Sequence, residues 1–588
     1  MKISKMEYVF LLSISILLYP GCNTTVEKIN VKDYGVIAGG EDATPGVISA
    51  LEDCKGLDNA ELIFPKGEYH FYPDYGVDRY CFISNNDEGL KRIVFPLIDF
   101  ENLIIDGNGS LFIFHGFVNP FVVENSANIT FRNFSIDYNR PFHSEAIILA
   151  NNDDGIDMEI PENFPFRISN GLLLFTDGGL EDARKTTVNK PTVYPYGSLL
   201  EFDVEKRETA FMARDYYLDG YPLPAKSMGE RKVRIFLDGL EGTIGNIMTF
   251  GSSNRNYPGF TLTDSRDINF HQITIYHSGG MGIIGQRTHN ILVDSCKVTP
   301  SPGRVISCTA DATHFVNCTG KIELSHCLFE NQKDDATNIH GIYVQIAKIL
   351  SPNEIIVQLK HSQQFGFDFL KEDTKIEFVK GQSLITEGEA HVISSKRLNK
   401  ELTRVSLSQP LPSEIEVGDA IAEIRDYPEI YIHNNIIRKN RARGMLLNSR
   451  GKTIVEDNYF HSPGAAILFE GDASFWYEQG GVTDCVIRNN IFDNCLYGVW
   501  GKAVIDVGAG IYDDKELSRY NKNIKIYDNT FRVFDDVLFL NLYGVDGLSW
   551  YNNKVERTNN YPSTRKRDNF FHVEYSDNIR IEPYTQNE

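Results

Sequence analysis

Three aspartates in two short, matching segments are the residues of this chain best suited to do chemistry. Asp311 lies in residues 309–314, Asp334 and Asp335 lie in residues 333–338, and the Asp-Ala-Thr units of the two segments are 24 residues apart. A carboxylic acid beside a carboxylate can protonate a leaving oxygen while a water molecule is activated, which is the chemistry of an inverting glycoside hydrolase. Equivalent positions on adjacent strands are about 4.8 Å apart. If 24 residues make one structural repeat, the three aspartates meet in one site.

A second polar segment carries Glu470, Asp472, Trp476 and Glu478 within nine residues. An exposed tryptophan beside carboxylates is typical of a sugar platform, because the apolar face of a sugar ring stacks on an indole. We therefore predict substrate-binding roles for these four residues. The alternative is that Trp476 only packs its loop onto the body of the protein.

Two further side chains of the aspartate segments, His314 and Asn338, are predicted to contact the same substrate. The chain has no clustered Cys and His residues at metal-ligand spacing, no phosphate-binding glycine loop and no nucleophile elbow. No metal ion and no other cofactor is therefore predicted.

A short repeat indicates the fold that positions these residues. Alternating apolar residues followed by a polar pair recur along the chain, and the markers Asn435 and Asn458 are 23 residues apart while Asn529 and Asn553 are 24 apart. Alternation with period two indicates strands, and a short strand unit must stack on its neighbours to bury its apolar face. The sequence predicts an all-β protein, a right-handed parallel β-helix. The alternative, a β-propeller, needs blades of about 40 residues.

The positions of two cysteines and two glycines in this repeat predict which residues lie next to one another. Cys296 and Cys327 occupy the marker position, so we expect buried thiols rather than disulfides. Gly280 precedes Cys296 by 16 residues, as Asp311 precedes Cys327. The count places Gly280 next to Asp311, and together with Gly279 it predicts open space for a sugar beside the carboxylates.

The next repeat offers Arg441 and Arg443 on the far side of the aspartates. Three carboxylates this close cannot all ionise freely, so we expect one pKa to be raised and one to be held low. That pattern would supply the acid and the base of the reaction.

Two stretches interrupt the repeat but keep strand-like alternation, and we interpret both as inserted small β-barrel-like domains. The predicted organisation is as follows: a lipoprotein-type signal peptide at 1–22, N-terminal coils at 29–142, a first insertion at 143–250, catalytic coils at 251–342, a second insertion at 343–426 and C-terminal coils at 427–588.

The N-terminus predicts export. Lys2 and Lys5 precede an apolar core at residues 9–18, and Cys22 follows a small residue, as at a lipoprotein cleavage site. We expect a protein in the periplasm or outer membrane whose only membrane contact is a lipid on Cys22; plain secretion is the alternative. With 58 basic and 80 acidic residues the net charge is −22, which argues against binding nucleic acid.

Several segments resemble known families. Residues 33–36, 42–45 and 64–69 resemble the first coil of polygalacturonase-type β-helices. The combination of residues 309–314, 333–341 and 470–478 with two inserted barrels resembles glycoside hydrolase family 110, and the resemblance runs from about residue 29 to residue 580. That family comprises exo-acting α-1,3-galactosidases that remove terminal galactose from blood-group-B-type and related glycans.

The resemblance implies an inverting enzyme with no cofactor, whose partner is an oligosaccharide or glycoconjugate that ends in α-galactose. It maps three catalytic aspartates onto Asp311, Asp334 and Asp335, with Asp334 as the general acid and the other two holding the water. The sequence alone does not order these roles.

Three other interpretations stay open at this stage. A polygalacturonase-like inverting hydrolase of another sugar would share the aspartates, but its uronate-binding Arg-x-Lys element is missing and His340-Gly341 only partly matches its His-Gly element. A polysaccharide lyase would need Ca²⁺ and a Lys or Arg base. A non-catalytic glycan-binding β-helix would bind sugar without hydrolysing it.

Overall fold

The computed structural model describes residues 26–178 and 192–587. Most of the described chain winds into a parallel β-helix, in which each complete coil contributes a short strand to each of three ranks of parallel strands. Inward-facing Ile, Leu, Val and Phe side chains stack from coil to coil and form one continuous core. The predicted parallel β-helix is therefore confirmed. Cys22 and the predicted signal peptide lie outside the described residues.

The first and second ranks meet at the corner where the repeat has its polar pair. The first-rank strands are Glu27–Asn30, Ala60–Ile63, Glu101–Phe114, Ala127–Tyr138, Arg266–Ile275, His289–Asp294, Thr319–Ser325, Glu429–His433, Thr453–Glu456, Cys485–Arg488, Asn521–Tyr527, Val545–Tyr551 and Asp577–Ile581. The third to fifth of these run on through the second rank, whose other strands are Glu68–Phe71, Lys297–Val298, Leu328–Glu330, Ile436–Arg438, Tyr459–His461, Ile491–Asp493, Thr530–Val533, Lys554–Arg557 and Thr585–Asn587.

The third rank forms the remaining side of the coils. Its strands are Asp87–Ile98, Asn119–Glu124, Phe260–Thr263, Ile283–Gln286, Thr313–Val316, the start of Thr337–Ser351, Met445–Leu447, Ile467–Phe469, Ala503–Val507, Leu538–Tyr543 and Phe571–Glu574. Val77–Ile83 pairs antiparallel with the first of them, and Glu478–Gln479 pairs antiparallel with Gly341 and Ile342.

A ladder of buried asparagines runs along the corner between the first two ranks. Each member except the last donates from Nδ2 to Oδ1 of the next at 3.0 Å, and its backbone N–H donates to the same oxygen. The ladder comprises Asn435, Asn458, Asn490, Asn529 and Asn553. The backbone N–H of Cys327 donates to Asn435 at 2.8 Å, so this thiol occupies the predicted ladder position.

The cysteines of the described chain are all free thiols, and Cys296 and Cys327 are buried. The expectation of buried thiols is confirmed for these two residues.

The first interruption of the coils is a set of antiparallel strands. They are Ser144–Asn152, Gly155–Glu159, Phe166–Ser169, Leu172–Thr176, Val193–Tyr194, Tyr196–Asp203, Glu208–Thr209, Tyr216–Tyr217, Ala225–Gly229, Lys232–Ile235 and Ile247–Ser252. Eight of them form one sheet, and Phe166–Ser169, Leu172–Thr176 and Val193–Tyr194 form a second.

The second interruption closes on itself as a six-stranded antiparallel barrel. The distal part of Thr337–Ser351 starts it, and the other strands are Glu354–Gln358, Lys375–Val379, Thr386–Arg397, Leu402–Leu407 and Ala420–Glu423. A separate apolar cluster fills this barrel. The prediction of β-barrel-like insertions is confirmed.

Helices are few in the described chain. The α-helix Thr44–Lys55 begins with a proline in its first turn, where the missing N–H costs nothing, and packs Val47, Leu51 and Cys54 toward the first coils. Short 3₁₀ helices are Val31–Tyr34, Pro73–Tyr75 and Ser362–Gln364. Among residues 26–178 and 192–587, none of the helices has the length and apolar character required to span a bilayer.

Candidate active site

The aspartates lie where two consecutive coils enter the third rank. Thr313 pairs with Thr337 in parallel strands, and the N–H of Ala312 donates to the carbonyl oxygen of Asp335 at 2.9 Å. The N–H of Asp335 in turn donates to Oδ1 of Asp311 at 3.2 Å. The 24-residue interval is therefore one coil, as the sequence predicts.

One small cavity beside these turns brings together all nine residues predicted to be catalytic or substrate-binding. Its volume is about 170 Å³, below the roughly 300–1,000 Å³ typical of sites for drug-sized ligands. The predicted residues that line it are Asp311, Asp334, Asp335, Asn338, His314, Glu470, Asp472, Trp476 and Glu478. Their roles stay predictions. The remaining lining residues are Asn85, Tyr217, Arg255, Gln363, Arg441, Arg443 and Leu446.

Arginines hold the two aspartates of the pair. Asp334 accepts from Arg255 Nη2 at 2.7 Å and from Arg441 Nη1 at 3.1 Å. Asp335 is held at both oxygens by the guanidinium of Arg443, at 3.0 and 2.8 Å, and also accepts the backbone N–H of Arg443 at 3.1 Å. Such bidentate hydrogen bonds are strong and fix the orientation of the carboxylate.

Asn440 shapes the loop that carries two of these arginines. Its buried Nδ2 donates to the carbonyl oxygen of Arg443 at 2.6 Å and to that of Asp334 at 3.1 Å. The amide therefore ties the arginine loop to the backbone of the aspartate pair.

Asp311 has a different environment, since the structure gives it no arginine contact within the described residues. Its Oδ2 makes a very short hydrogen bond to Nδ1 of His314, and Nε2 of His314 lies 3.0 Å from Nε2 of His340. Both nitrogens of His314 are thus engaged within the protein. His314 also lines the cavity, and its predicted substrate contact stays a prediction.

The three carboxyls differ in pKa for these reasons. Burial, and then the charge of Asp334, raise the pKa of Asp311 above its usual value. Burial also raises the pKa of Asp335, and Arg443 opposes that rise. Burial would raise the pKa of Asp334 too, but Arg441 and Arg255 outweigh it and hold that pKa low. Two of the pKa values are thus raised and one is lowered, which includes the contrast between a raised and a lowered pKa that the sequence predicts.

Across the cavity, Asp472 organises the loop that presents Trp476. Its carboxylate accepts backbone N–H groups of Ser474 at 2.9 Å and of Trp476 at 3.1 Å, as an Asx-type turn does. Trp476 is 45 % exposed, and its ring centroid lies 4.8 Å from that of His361. The tryptophan thus keeps a free surface at the cavity, and Asp472 acts on it through the backbone.

Asn338 and Glu478 are the buried polar groups of the cavity best placed to meet a sugar hydroxyl. Oδ1 of Asn338 is buried and has no hydrogen-bond partner among the described residues. Burial raises the pKa of Glu478 to about 8, so its carboxyl keeps a proton to donate at neutral pH. Burial also raises the pKa of the neighbouring Glu470. An unpaired buried acceptor is costly unless a ligand fills it.

Both insertions reach the cavity through residues that the sequence did not identify. The first supplies Tyr217, whose hydroxyl accepts from Arg441 at 2.9 Å, and Asp215, which also binds Arg441 at 2.9 Å. Gln363, from the 3₁₀ helix Ser362–Gln364 of the second insertion, also lines the cavity, and the neighbouring His361 contacts the ring of Trp476. No sequence pattern marks these residues, because their positions depend on how the insertions fold back.

The prediction that Gly279 and Gly280 leave open space for a sugar is wrong. A side chain on Gly280 would lie 2.3 Å from the carbonyl oxygen of Arg255, and one on Gly279 would meet Phe142. Gly280 lets the backbone of Arg255 approach closely, and the guanidinium of Arg255 reaches Asp334. The 16-residue spacing that placed Gly280 next to Asp311 is also wrong by one residue. Ile283 pairs with Thr313, which sets Met281 beside Asp311.

The same aspartates have the donor set of a hard cation, because one oxygen from each lies within 4.8 Å of the others. The arginines Arg255, Arg441 and Arg443 already place three positive charges against this cluster. A divalent ion would have to compete with these charges, so the residues present fit a metal poorly.

Comparison with known proteins adds two domain matches. Residues 144–243 match the GLAA-B beta-barrel domain I, and residues 354–421 match the GLAA-B beta-barrel domain II. Both matches fall on the two interruptions of the coils.

Several curated relatives are similar over most of the chain. Alpha-1,3-galactosidase A of Shewanella woodyi is 36% identical over 565 residues, which cover 94% of this chain and 90% of that protein. Alpha-1,3-galactosidase B of Akkermansia muciniphila is 31% identical, covering 90% of this chain and 66% of the relative. Alpha-1,3-galactosidase B of Bacteroides thetaiotaomicron is 30% identical, covering 91% and 86%.

Proposed function

The chain belongs to the α-1,3-galactosidase A and B family, glycoside hydrolase family 110, and we propose that it is an exo-acting enzyme that hydrolyses terminal α-1,3-linked galactose from oligosaccharides or glycoconjugates. The observation that carries the proposal is the single cavity lined by Asp311, Asp334, Asp335 and the Trp476 loop. Acid and base groups meet there beside an exposed aromatic surface.

The size of the cavity supports exo action. A volume of about 170 Å³ suits one sugar ring rather than a chain. A wider groove of about 1080 Å³ adjoins it and shares Arg443, Glu470, Asp472 and Trp476 with it. We assign the galactose to the cavity and the leaving glycan to the groove.

The reaction uses the aspartates as acid and base. A carboxyl protonates the glycosidic oxygen, the C1–O bond breaks toward that oxygen, and a water molecule activated by a carboxylate attacks C1. The family resemblance implies Asp334 as the acid. In the resting protein Arg255 and Arg441 favour the ionised form of Asp334, so its proton would have to arrive after substrate binds.

Inversion at C1 is part of the proposal and rests on the family resemblance. The nearest carboxylate oxygens lie within 4.8 Å, closer than the roughly 6.5–9.5 Å usual for inverting pairs. Arg443 and the other arginines occupy the oxygens of Asp334 and Asp335, which disfavours either as a covalent nucleophile and supports attack by water.

Linkage-specific release of galactose tests the proposed activity. Purified protein is incubated with α-1,3-, α-1,4- and α-1,6-linked galactobiose, and free galactose is measured over time. We expect release from the α-1,3 isomer alone, and release at least about 100-fold slower with Asp335→Asn. Asp457→Asn, a change at an exposed turn residue, is the matched control and should keep full activity. Release neither from these isomers nor from a fucosylated B-type trisaccharide would overturn the proposal.

The preferred glycan is proposed to be of the blood-group-B type. Tyr217 of the first insertion and Gln363 of the second both line the cavity and would contact a branch on the sugar that carries the galactose. Comparing a fucosylated B-type trisaccharide with its linear counterpart tests this proposal. Equal kcat/KM values would contradict it.

Export as a lipoprotein remains our proposal from the N-terminal sequence. Cys22 would carry the lipid and hold the enzyme at the periplasmic side or in the outer membrane. Labelling with a radioactive fatty acid should mark the wild type but not Cys22→Ser. Labelling of neither, with the protein in the medium, would indicate plain secretion.

A further inference from the structure

The guanidinium of Arg441 is shared between the aspartate cluster and the first insertion. Its Nη1 donates to Oδ1 of Asp334 at 3.1 Å, and its Nε donates to Oδ2 of Asp215 at 2.9 Å. Its Nη2 donates to the hydroxyl of Tyr217 at 2.9 Å. The side chains of Arg441, Asp334 and Asp215 are largely buried, so salt and water screen their charges little. One arginine therefore faces two carboxylates.

Asp215 is fixed in this place from two directions. It directly precedes the strand Tyr216–Tyr217, which pairs with Tyr196–Asp203 in the sheet of the first insertion. From the C-terminal coils, Nε1 of Trp500 donates to Oδ2 of Asp215 at 3.0 Å. The same Oδ2 accepts from Arg441. The pairing of the insertion's strands and the indole N–H together hold the carboxylate against the guanidinium.

This sharing affects how readily Asp334 takes up a proton. A guanidinium beside a carboxylate favours its ionised form, whereas a second carboxylate nearby disfavours it. Burial would lower the pKa of Arg441, but Asp334 and then Asp215 outweigh burial and raise that pKa above its usual value. Both carboxylates thus act on the same guanidinium. Asp215 offsets part of the positive charge that Arg441 presents to Asp334.

Other charged and titratable groups face Asp334 from the surrounding elements. Arg255 donates to Asp334 at 2.7 Å, and Nη2 of Arg443 lies 3.8 Å from its Oδ1. The remaining groups within electrostatic reach are Asp311, His314, Lys333, Asp335 and Tyr217. Among the described residues, Asp215 is the carboxylate outside the aspartate cluster that contacts one of these arginines.

We propose that Asp215 of the first insertion is a positioning residue that shares Arg441 with Asp334 and so lets Asp334 take up the proton that it gives to the glycosidic oxygen. The proposal rests on the hydrolysis proposed above. The proton passes from Asp334 to the glycosidic oxygen as the C1–O bond breaks toward that oxygen. The attacking water bonds to C1 and loses its proton to a neighbouring carboxylate. Proton exchange with solvent then returns both groups to their starting forms.

Two substrates that differ in their need for a proton test the proposal. Asp215→Asn keeps an oxygen that can accept from Arg441 and Trp500 but removes the charge, so Arg441 should hold Asp334 ionised more firmly. Cleavage of α-1,3-galactobiose needs the proton, so its kcat near neutral pH should fall by about 3–10-fold. Fluoride leaves with little need for a proton, so kcat on α-galactosyl fluoride should stay within about twofold of the wild type.

Two further variants serve as controls in this test. Asp219→Asn, at an exposed residue of the same segment, should match the wild type on both substrates. Asp215→Glu keeps the charge, so its ratio of the two kcat values should lie closer to that of the wild type than the ratio of Asp215→Asn does. An equal loss on both substrates in Asp215→Asn would show a merely structural role and would contradict the proposal, as would no loss on the galactobiose.

A double-variant cycle tests the sharing of Arg441 without any substrate. Chemical-denaturation midpoints are compared for the wild type, Asp215→Asn, Asp334→Asn and the double variant. Two carboxylates that face one guanidinium disfavour each other, so removing either one relieves the other. The midpoint of the double variant should therefore fall by more than the sum of the two single shifts.

The outcomes of the two experiments separate this proposal from the hydrolysis. Additive midpoint shifts would overturn the sharing of Arg441 even if galactose is released normally. Wild-type protein that releases galactose from neither substrate would instead contradict the hydrolysis on which the proposal rests.

Discussion

The asparagine ladder and the aspartate cluster are both stacks of short polar side chains on neighbouring coils of one β-helix. In the ladder, Asn458 donates to Asn490 and accepts from Asn435, so neutral amides satisfy one another at 3.0 Å. Ionised carboxylates only accept, so Asp311 and Asp335 cannot do the same. The aspartate cluster is instead stabilised by arginines from other segments of the chain and by protonation of a carboxyl group. The asparagine ladder therefore stabilises the fold, because its amides satisfy one another. The aspartate cluster keeps carboxyl groups that can still exchange protons with a substrate.

The largest expected effect is a loss of catalytic activity on changing the aspartate cluster, which the asparagine ladder should not share. Asp335→Asn keeps the size of the side chain but removes a charge needed for acid–base catalysis, so kcat should fall by about 10²–10⁴-fold. The measurement is galactose release from α-1,3-galactobiose, with Asp457→Asn as the control of matched chemistry. A loss of only a few fold would place the catalytic carboxylates elsewhere.

The next effect compares stability inside the aspartate cluster. Asp335→Asn leaves the partly exposed guanidinium of Arg443 without its nearest counter-charge, which should cost about 2 kcal/mol of unfolding free energy. Asp311→Asn should cost less than about 1 kcal/mol, because an amide can donate to His314 as a protonated carboxyl does. Chemical-denaturation midpoints of the two variants check this contrast. Equal losses would mean that Asp311 is ionised at rest.

Changes in the ladder test its purely structural role. Asn458→Ala removes the partners of Asn435 and Asn490, and should cost about 1–3 kcal/mol while kcat/KM per folded molecule stays unchanged. Denaturation midpoints and active-enzyme assays measure the two quantities. A loss of specific activity without a loss of stability would contradict the separation of the two stacks.

Asn458→Asp places an acid in the ladder without an arginine. Burial would raise the folded-state pKa of this carboxyl above its unfolded value, so its protonated form is favoured in the folded protein. The variant should therefore be less stable than Asn458→Ala at pH 7 and should regain stability as the pH falls toward 5. A stability that does not change with pH relative to the wild type would refute this reasoning.

The smallest expected effect concerns metal ions. Because Arg255, Arg441 and Arg443 already balance the carboxylates, extended treatment with a chelator should leave kcat within experimental error. Loss of activity that returns on adding Ca²⁺ or Mg²⁺ would show that the aspartates hold a cation.

Much of the fold could be predicted because the coils repeat. The 23- and 24-residue spacing of Asn435, Asn458, Asn529 and Asn553 identifies the ladder, and the matching Asp-Ala-Thr units place Asp311 beside Asp335. Every coil repeats the same alternation of apolar and polar residues and the same stacking position, so a short sequence pattern is enough to predict both.

The remaining parts of the site depend on irregularities. An extra residue at Gly320, where Thr319 to Ile322 spans one residue more than His289 to Ile291, shifts the count that placed Gly280 beside Asp311. Arg255 and Tyr217 arrive from segments whose direction is set by the packing of the first insertion. No periodicity specifies such positions, and so they could not be predicted.

The most direct test of the central claim is NMR of the anomeric proton of galactose as it is released from α-1,3-galactobiose by the purified enzyme. If the carboxyls of Asp311, Asp334 and Asp335 act as acid and base on a water molecule, β-galactose appears first and only later equilibrates with the α-anomer. Initial release of α-galactose would mean retention through a covalent intermediate and would contradict the account.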